Sequence, residues 1–254
     1  MNRILFEPEE VVDNRATFGG VRAEHVLNVL HGTVGQVLKT GIINGRLGTS
    51  TIEAIEPLPA DPSTGRALGR ITVRCTHETP ALAPWADLLL APPRPRAMKR
   101  LLPQLAQMGV GRIVLVGAEK VEKAFWGAQL LKENIYRPLL LDGLMQAGTT
   151  AVPVIQVERS FRHYLEKGRF DADFAAATAR YVAHPAKAAA ASVPARADLP
   201  PARTLVAVGP EGGWTDEEVA RLEAKGFVRL SLGSRILRTD TAVIALLARL
   251  LPLD

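Results

Sequence analysis

Two stretches near the C-terminus carry residue types that could do chemistry. In Val206–Trp214 an apolar strand runs into Gly209, Pro210, Glu211, Gly212 and Gly213. Three glycines in five residues let backbone take positive φ and approach a ligand closely. In Leu230–Ala242 a second strand ends at Leu232 and Gly233, and Ile236, Leu237, Arg238, Thr239 and Asp240 follow. Neither stretch is a phosphate loop, because no Gly-Lys-Ser/Thr follows, and the spacing of a dinucleotide fingerprint is absent. A Gly-Pro turn can also be no more than a turn.

Strands and helices must position these loops. Thr215 reads as an N-cap, with Glu218 three residues on completing a capping box. A second helix is expected to start near Thr239 or Asp240. Two strand–loop–helix units side by side would place two backbone-rich loops at one sheet edge, where open α/β sheets bind ligands.

A further cluster lies at Arg94, Arg96, Lys99 and Arg100, after a predicted strand over 87–91, and no acidic residue occurs from Leu88 through Ala118. Four cations at one strand end repel one another unless an anion or solvent offsets them. Phosphate contacts to a nucleic acid are the natural role; a solvated helix start is the alternative, although cations there oppose the helix dipole.

The chain has 254 residues, 47% hydrophobic and 22% charged, which suits a globular protein with one large or two modest domains. Its net charge is +5, a lean toward a polyanionic partner. Residues 1–77 carry 8 basic and 8 acidic residues, so the whole excess lies in 78–254. Cys75 is the lone cysteine, expected to pack in a strand, and nothing argues for an oxidising compartment. The N-terminus lacks a signal-peptide core and no apolar run could span a membrane, so a cytoplasmic protein is expected. The five histidines show no metal-ligand spacing, and no metal site is expected.

Residues 1–77 read as strands near 4–6, 34–43, 48–55 and 70–75, with one helix over 22–31 and a hairpin turn at Asn44-Gly45. Residues 77–84 read as a linker. From there strands near 87–91, 112–116, 153–157, 173–182, 206–208 and 227–232 alternate with helices, which argues for a mostly parallel sheet. Pro103 and Pro138 are expected to kink or split helices over 96–108 and 124–146. Ser160 could cap a short helix, and Ala186–Ala202 reads as an exposed connection.

Gly209-Pro-Glu-Gly-Gly213, followed by Leu232-Gly-Ser-Arg-Ile-Leu-Arg-Thr-Asp-Thr-Ala242, resembles the uracil-N3 methyltransferases of 16S ribosomal RNA, in the SPOUT superfamily. The resemblance implies a SPOUT-type α/β parallel-sheet domain with a C-terminal trefoil knot at 78–254. It also implies a small PUA-like β-barrel, RNA-binding, at 1–77; a β-module that only packs on the catalytic domain is the alternative. S-adenosyl-L-methionine is the implied cofactor, at Gly209, Glu211, Gly212, Gly213, Leu232, Gly233, Ile236 and Leu237, with His184 contributing from a strand end. Uracil N3 is a poor nucleophile until it loses its proton, and a cation beside O2 or O4 would stabilise the anion. Arg238 is assigned that role; a structural ion pair to Asp240 or Glu211 is its alternative. The implied partners are ribosomal RNA of the small subunit and a second copy of the chain, as a homodimer. A noncatalytic RNA-binding protein on a decayed methyltransferase fold, or an enzyme for another RNA such as transfer RNA, remain open. The chain departs from the family at Asp240, usually Glu, at Pro92–Arg96, usually Lys-rich, and at Met145 and Thr149, where Glu and Arg are usual.

Overall fold

The computed structural model describes residues 3–184, 191–192 and 203–252. Two compact units emerge, 1–82 with 144–152, and 83–143 with 153–254. The sequence boundary at 77/78 did not anticipate that residues 144–152 group with the first unit. The reason lies in the Asn44-Gly45 turn. Asn44 N–H donates to Thr150 O at 2.8 Å, Thr150 Oγ1 donates to Gly45 O at 2.7 Å, and Val152 N–H donates to Asn44 Oδ1 at 2.8 Å.

The first unit contains β1 (Ile4–Phe6), β2 (Arg15–Phe18), α1 (Gly20–Asn28), β3 (Val37–Ile42), β4 (Leu47–Leu58) and β5 (Leu68–Thr79). Strand order is β1-β3-β4-β5-β2, with β1–β3 parallel and the other pairs antiparallel. β1 and β2 lie at opposite edges, yet Phe6 and Phe18 stand 5.5 Å apart, with Arg22 of α1 over both rings. The sheet therefore curls until its edge strands meet through side chains, as the barrel-like expectation requires. Register shifts at Leu47/Gly48 and Ile52/Ala54 add local bend. Cys75 is buried in β5. The strand at 15–18 is missing from the sequence reading, because Arg15-Ala-Thr-Phe18 is too short to show a period.

The second unit contains β6 (Ala86–Leu90), α2 (Pro95–Gln107), β7 (Val110–Val116), α3 (Glu133–Ala147, whose last turn belongs to the first unit), β8 (Val154–Glu158), α4 (Phe161–Lys167), α5 (Phe170–Asp173), β9 (Ala177–Ala183), β10 (Ala191–Ser192), β11 (Arg203–Val208), α6 (Asp216–Ala224), β12 (Val228–Ser231) and α7 (Thr239–Leu250). The sheet order is β10-β12-β9-β11-β6-β7-β8 and every pair is parallel. β6 is buried at every position, as a strand covered on both faces is, with Asp87 its one charged residue. After β9 the chain crosses to β11 on one side and returns to β12 on the other. The connection expected at 186–202 lies outside the described residues except for the short strand β10.

Neither proline splits its helix, and one helix starts later than expected. α2 runs unbroken through Pro103; its buried Met98, Leu101, Leu102, Leu105 and Ala106 hold the helix to the core, which offsets the missing hydrogen bond. α3 likewise runs through Pro138, and the helix expected from 124 begins only at Glu133, after 3-10 turns at Lys123–Gly127 and Gln129–Leu131. Ser160 caps α4 as expected, accepting from His163 N–H at 3.2 Å.

Candidate active site

Parallel strands deliver their following loops to one edge. The loops after β6, β7, β9, β11 and β12 therefore converge, and the helices that follow them meet too, as in the contact of Arg100 in α2 with Asp240 in α7, 140 residues on. A cleft of about 640 Å³ opens there, within the usual size of a small-molecule site. Its lining includes all nine expected cofactor positions: His184, Gly209, Glu211, Gly212, Gly213, Leu232, Gly233, Ile236 and Leu237.

The glycine loop is a built turn. Gly213 N–H donates to Pro210 O at 2.8 Å, so that donor is used within the loop. Gly213 has φ +70° and Gly233 φ +103°, values that exclude most side chains, and open space lies where a Cβ would stand at either. Gly209 has a different reason: a Cβ there would meet Trp214 N at 3.0 Å and the indole at 3.1 Å. Its carbonyl accepts from Thr239 Oγ1 at 3.3 Å, which ties the first loop to the start of α7. Trp214 packs on Phe161, with ring centroids 5.3 Å apart.

The expected capping box is present. Thr215 Oγ1 accepts from Glu218 N–H at 3.3 Å, and Glu218 Oε2 accepts from Thr215 N–H at 2.8 Å. The buried Glu218 does more than cap. Its Oε1 accepts from Glu119 N–H at 2.8 Å, fixing the loop after β7 to α6. That loop brings Lys120 into the cleft wall, where Nζ donates to Gly212 O at 3.0 Å. Sequence reasoning missed Lys120. Nothing around it forms a motif, and only the parallel pairing β11-β6-β7 brings it near.

The four basic-loop cations sit on the same edge, because β6 pairs directly with β11. All four are exposed. Arg94 Nε lies 3.3 Å from Glu211 and Arg100 Nη2 lies 3.1 Å from Asp240. The acidic residues considered as partners of Arg238 are thus taken by the basic loop. Arg96 and Lys99 have no ion pair among the described residues. Arg238 is the N-cap of α7, exposed, and does not line the cleft; Arg235 does.

The strand side of the sheet is locked by a buried pair. Arg203 makes two bonds to Asp87, at 2.7 and 2.6 Å, and Asp87 is 2% exposed. Among the described residues no group of three His, Cys, Asp or Glu could hold a metal, and no helix is long and apolar enough to cross a membrane.

Residues 81–251, which carry the whole cleft, match the RNA methyltransferase domain family. The chain belongs to that family. Full-length similarity agrees. The ribosomal RNA small subunit methyltransferase E of Treponema pallidum is 32% identical over 250 residues, covering 96% of this chain and 88% of that protein. A structure of the Neisseria gonorrhoeae ribosomal RNA small subunit methyltransferase E, bound to S-adenosyl methionine, superposes with a TM-score of 0.65. It covers 98% of this chain and 95% of that one at 23% identity. That structure shares the fold of the chain described above.

The cleft fits such a ligand on its own chemistry. Space stands open over Gly213 and Gly233, Ile236 offers a side chain 92% exposed at the mouth, and Lys120 supplies a cation. An adenosyl group and an amino-acid end need such an apolar wall, open glycines and polar contacts.

Proposed function

We propose that the protein transfers a methyl group from S-adenosylmethionine to N3 of a uridine in small-subunit ribosomal RNA. The observation that carries this reading is the convergence of both glycine loops on one cleft beside the basic loop. Similarity across nearly the whole Treponema pallidum relative supports the substrate class. When bound, S-adenosylmethionine supplies a methyl on a cationic sulfur that departs as a neutral thioether. The chain's residues would do the rest. Ile236, Leu237 and Leu232 cover the adenine, and the loops at Gly212–Gly213 and Gly233 admit the donor closely. A guanidinium stabilises the uracil anion as N3 gives up its proton to solvent water. The motif points to Arg238 for that role, but Arg235 is the one that lines the cleft, and the role passes to it. Arg94, Arg96, Lys99 and Arg100 would hold RNA phosphates, and the barrel-like unit would dock the same RNA.

A homodimer belongs to this reading, supported by the exposure of Ile236 and Leu237 at the cleft mouth, which a second copy would cover. Sedimentation at micromolar concentration should then give twice the 27.4 kDa chain mass, and a monomer would remove the dimer from the reading. To test the transfer, the purified protein is incubated with labelled S-adenosylmethionine and small subunits, naked ribosomal RNA or transfer RNA. Label recovered as N3-methyluridine from ribosomal RNA supports the proposal. Label found only in transfer RNA, or in no RNA, overturns it.

A further inference from the structure

The cleft has a chemical polarity set by strand order. On the β12 side its wall is mostly apolar, with Leu230, Leu232, Ile236, Leu237 and Leu246, and Arg235 is the cation on that side, reserved above for the uracil. On the opposite side stands Lys120, delivered by the loop after β7. Its ammonium reaches the loop after β11, two strand spacings from β12, roughly 10 Å at the usual interstrand distance. An ammonium has three donors, and Lys120 gives one to Gly212 O. No carboxylate lies within ion-pair distance of it among the described residues. Its stem fills the place beside Gly212, where a Cβ would meet Lys120 Cδ at 3.1 Å. Its loop is fixed by the Glu119–Glu218 bond. The cation is therefore held in the wall by backbone contacts, with donors to spare. Glu211 and Asp216 also line the cleft, and Glu211 is already engaged by Arg94.

The proposed methyl donor is asymmetric in the same sense, with a flat adenine at one end and an α-carboxylate at the other. We propose that Lys120 binds the α-carboxylate of the donor's amino-acid end, and so orients the donor with its adenine on the β12 wall. This rests on the reading of the cleft as the methyl-donor site.

Calorimetry on the full chain tests it with two ligands. S-adenosylhomocysteine has the amino-acid end; 5′-methylthioadenosine keeps adenine and sulfur but lacks it. Lys120→Met should weaken S-adenosylhomocysteine roughly tenfold, the low end for a charge-assisted hydrogen bond. Binding of 5′-methylthioadenosine should stay within about twofold, which also shows that the variant is folded. Lys120→Arg should recover most of the affinity. Equal weakening for both ligands would mean that Lys120 acts only through the Gly212 loop, and would overturn the proposal, as would unchanged S-adenosylhomocysteine binding. If the wild-type chain binds neither ligand, the donor-site reading itself fails and this inference falls with it.

Discussion

At the scale of single residues, the two guanidiniums near the cleft are separable from the basic loop. A group that stabilises a developing anion acts mainly in the transition state. Its removal should lower the single-turnover rate at saturating RNA by roughly 10²–10³-fold, the scale of one oxyanion-hole donor. We expect Arg235→Ala, whose side chain lines the cleft, to show that loss with RNA affinity little changed. Arg238→Ala serves as the comparison, and a larger loss there would return the role to the N-cap arginine. The basic loop should fail in binding instead. Removing one cation from a phosphate should flatten the salt dependence of RNA binding by about 0.7–0.9 slope units. Arg96 and Lys99 should each give a fuller change than Arg94 and Arg100, which must first leave Glu211 and Asp240. Those pairs are exposed and contribute little stability. A salt titration in which all four variants keep the wild-type slope would remove the phosphate assignment. The loop residues were legible because glycine spacing and a motif mark them. Lys120 and the two rim ion pairs were not, because they depend on which strands neighbour which.

Individual elements carry two stability predictions. Glu218 ties Thr215 and Glu119 to one carboxylate, so Glu218→Ala strands two backbone donors. It should destabilise by about 2–3 kcal/mol, against about 1 kcal/mol for Thr215→Ala, which removes only the cap acceptor. Denaturant midpoints at constant slope measure both, and equal costs would contradict the second tie to Glu119. Arg203→Met leaves the buried Asp87 carboxylate without its partner. It should cost about 3 kcal/mol, the low end for a broken buried pair because Arg203 itself is partly exposed; a loss below about 1 kcal/mol would refute the buried-pair account. The capping box could be read directly from Thr215-Asp-Glu-Glu218, since its rule is local. The continuation of α2 through Pro103 could not, because tertiary burial of its apolar face decides it. Tertiary burial likewise holds α7, whose Val243, Leu246, Leu247 and Leu250 are buried within the chain.

On the whole-molecule scale, alternation of strands and helices was enough to predict a parallel sheet, but not the order β12-β9-β11-β6-β7 that assembles the cleft. Nor could the joining of 144–152 to the first unit be foreseen, since it rests on hydrogen bonds to a distant turn. The first unit also carries a pH response. Burial, with Arg3 nearby, holds the His77 imidazole below its ordinary pKa, and its Nε2 is 2.8 Å from Thr40 Oγ1. The folded pKa is depressed, so the unfolded chain takes the proton first. The stability from the neutral ring is present above about pH 6.5 and is lost as pH falls through the folded value. His77→Gln should flatten the decline in stability between about pH 7 and pH 5, whereas Glu10, held low by Arg22, acts only below about pH 4.3. An unchanged profile would contradict this. A uridine-N3 methyltransferase leaves N3-methyluridine in its RNA, which can be mapped. An N3 methyl occupies the pairing edge of uracil and blocks copying at that base. Small-subunit ribosomal RNA from cells lacking the protein should lose the block at one uridine. The wild-type chain should restore it, and Gly212→Val, which would displace Lys120 from the cleft wall, should not. A ribosomal RNA whose methyluridine is the same with and without the protein would contradict the account.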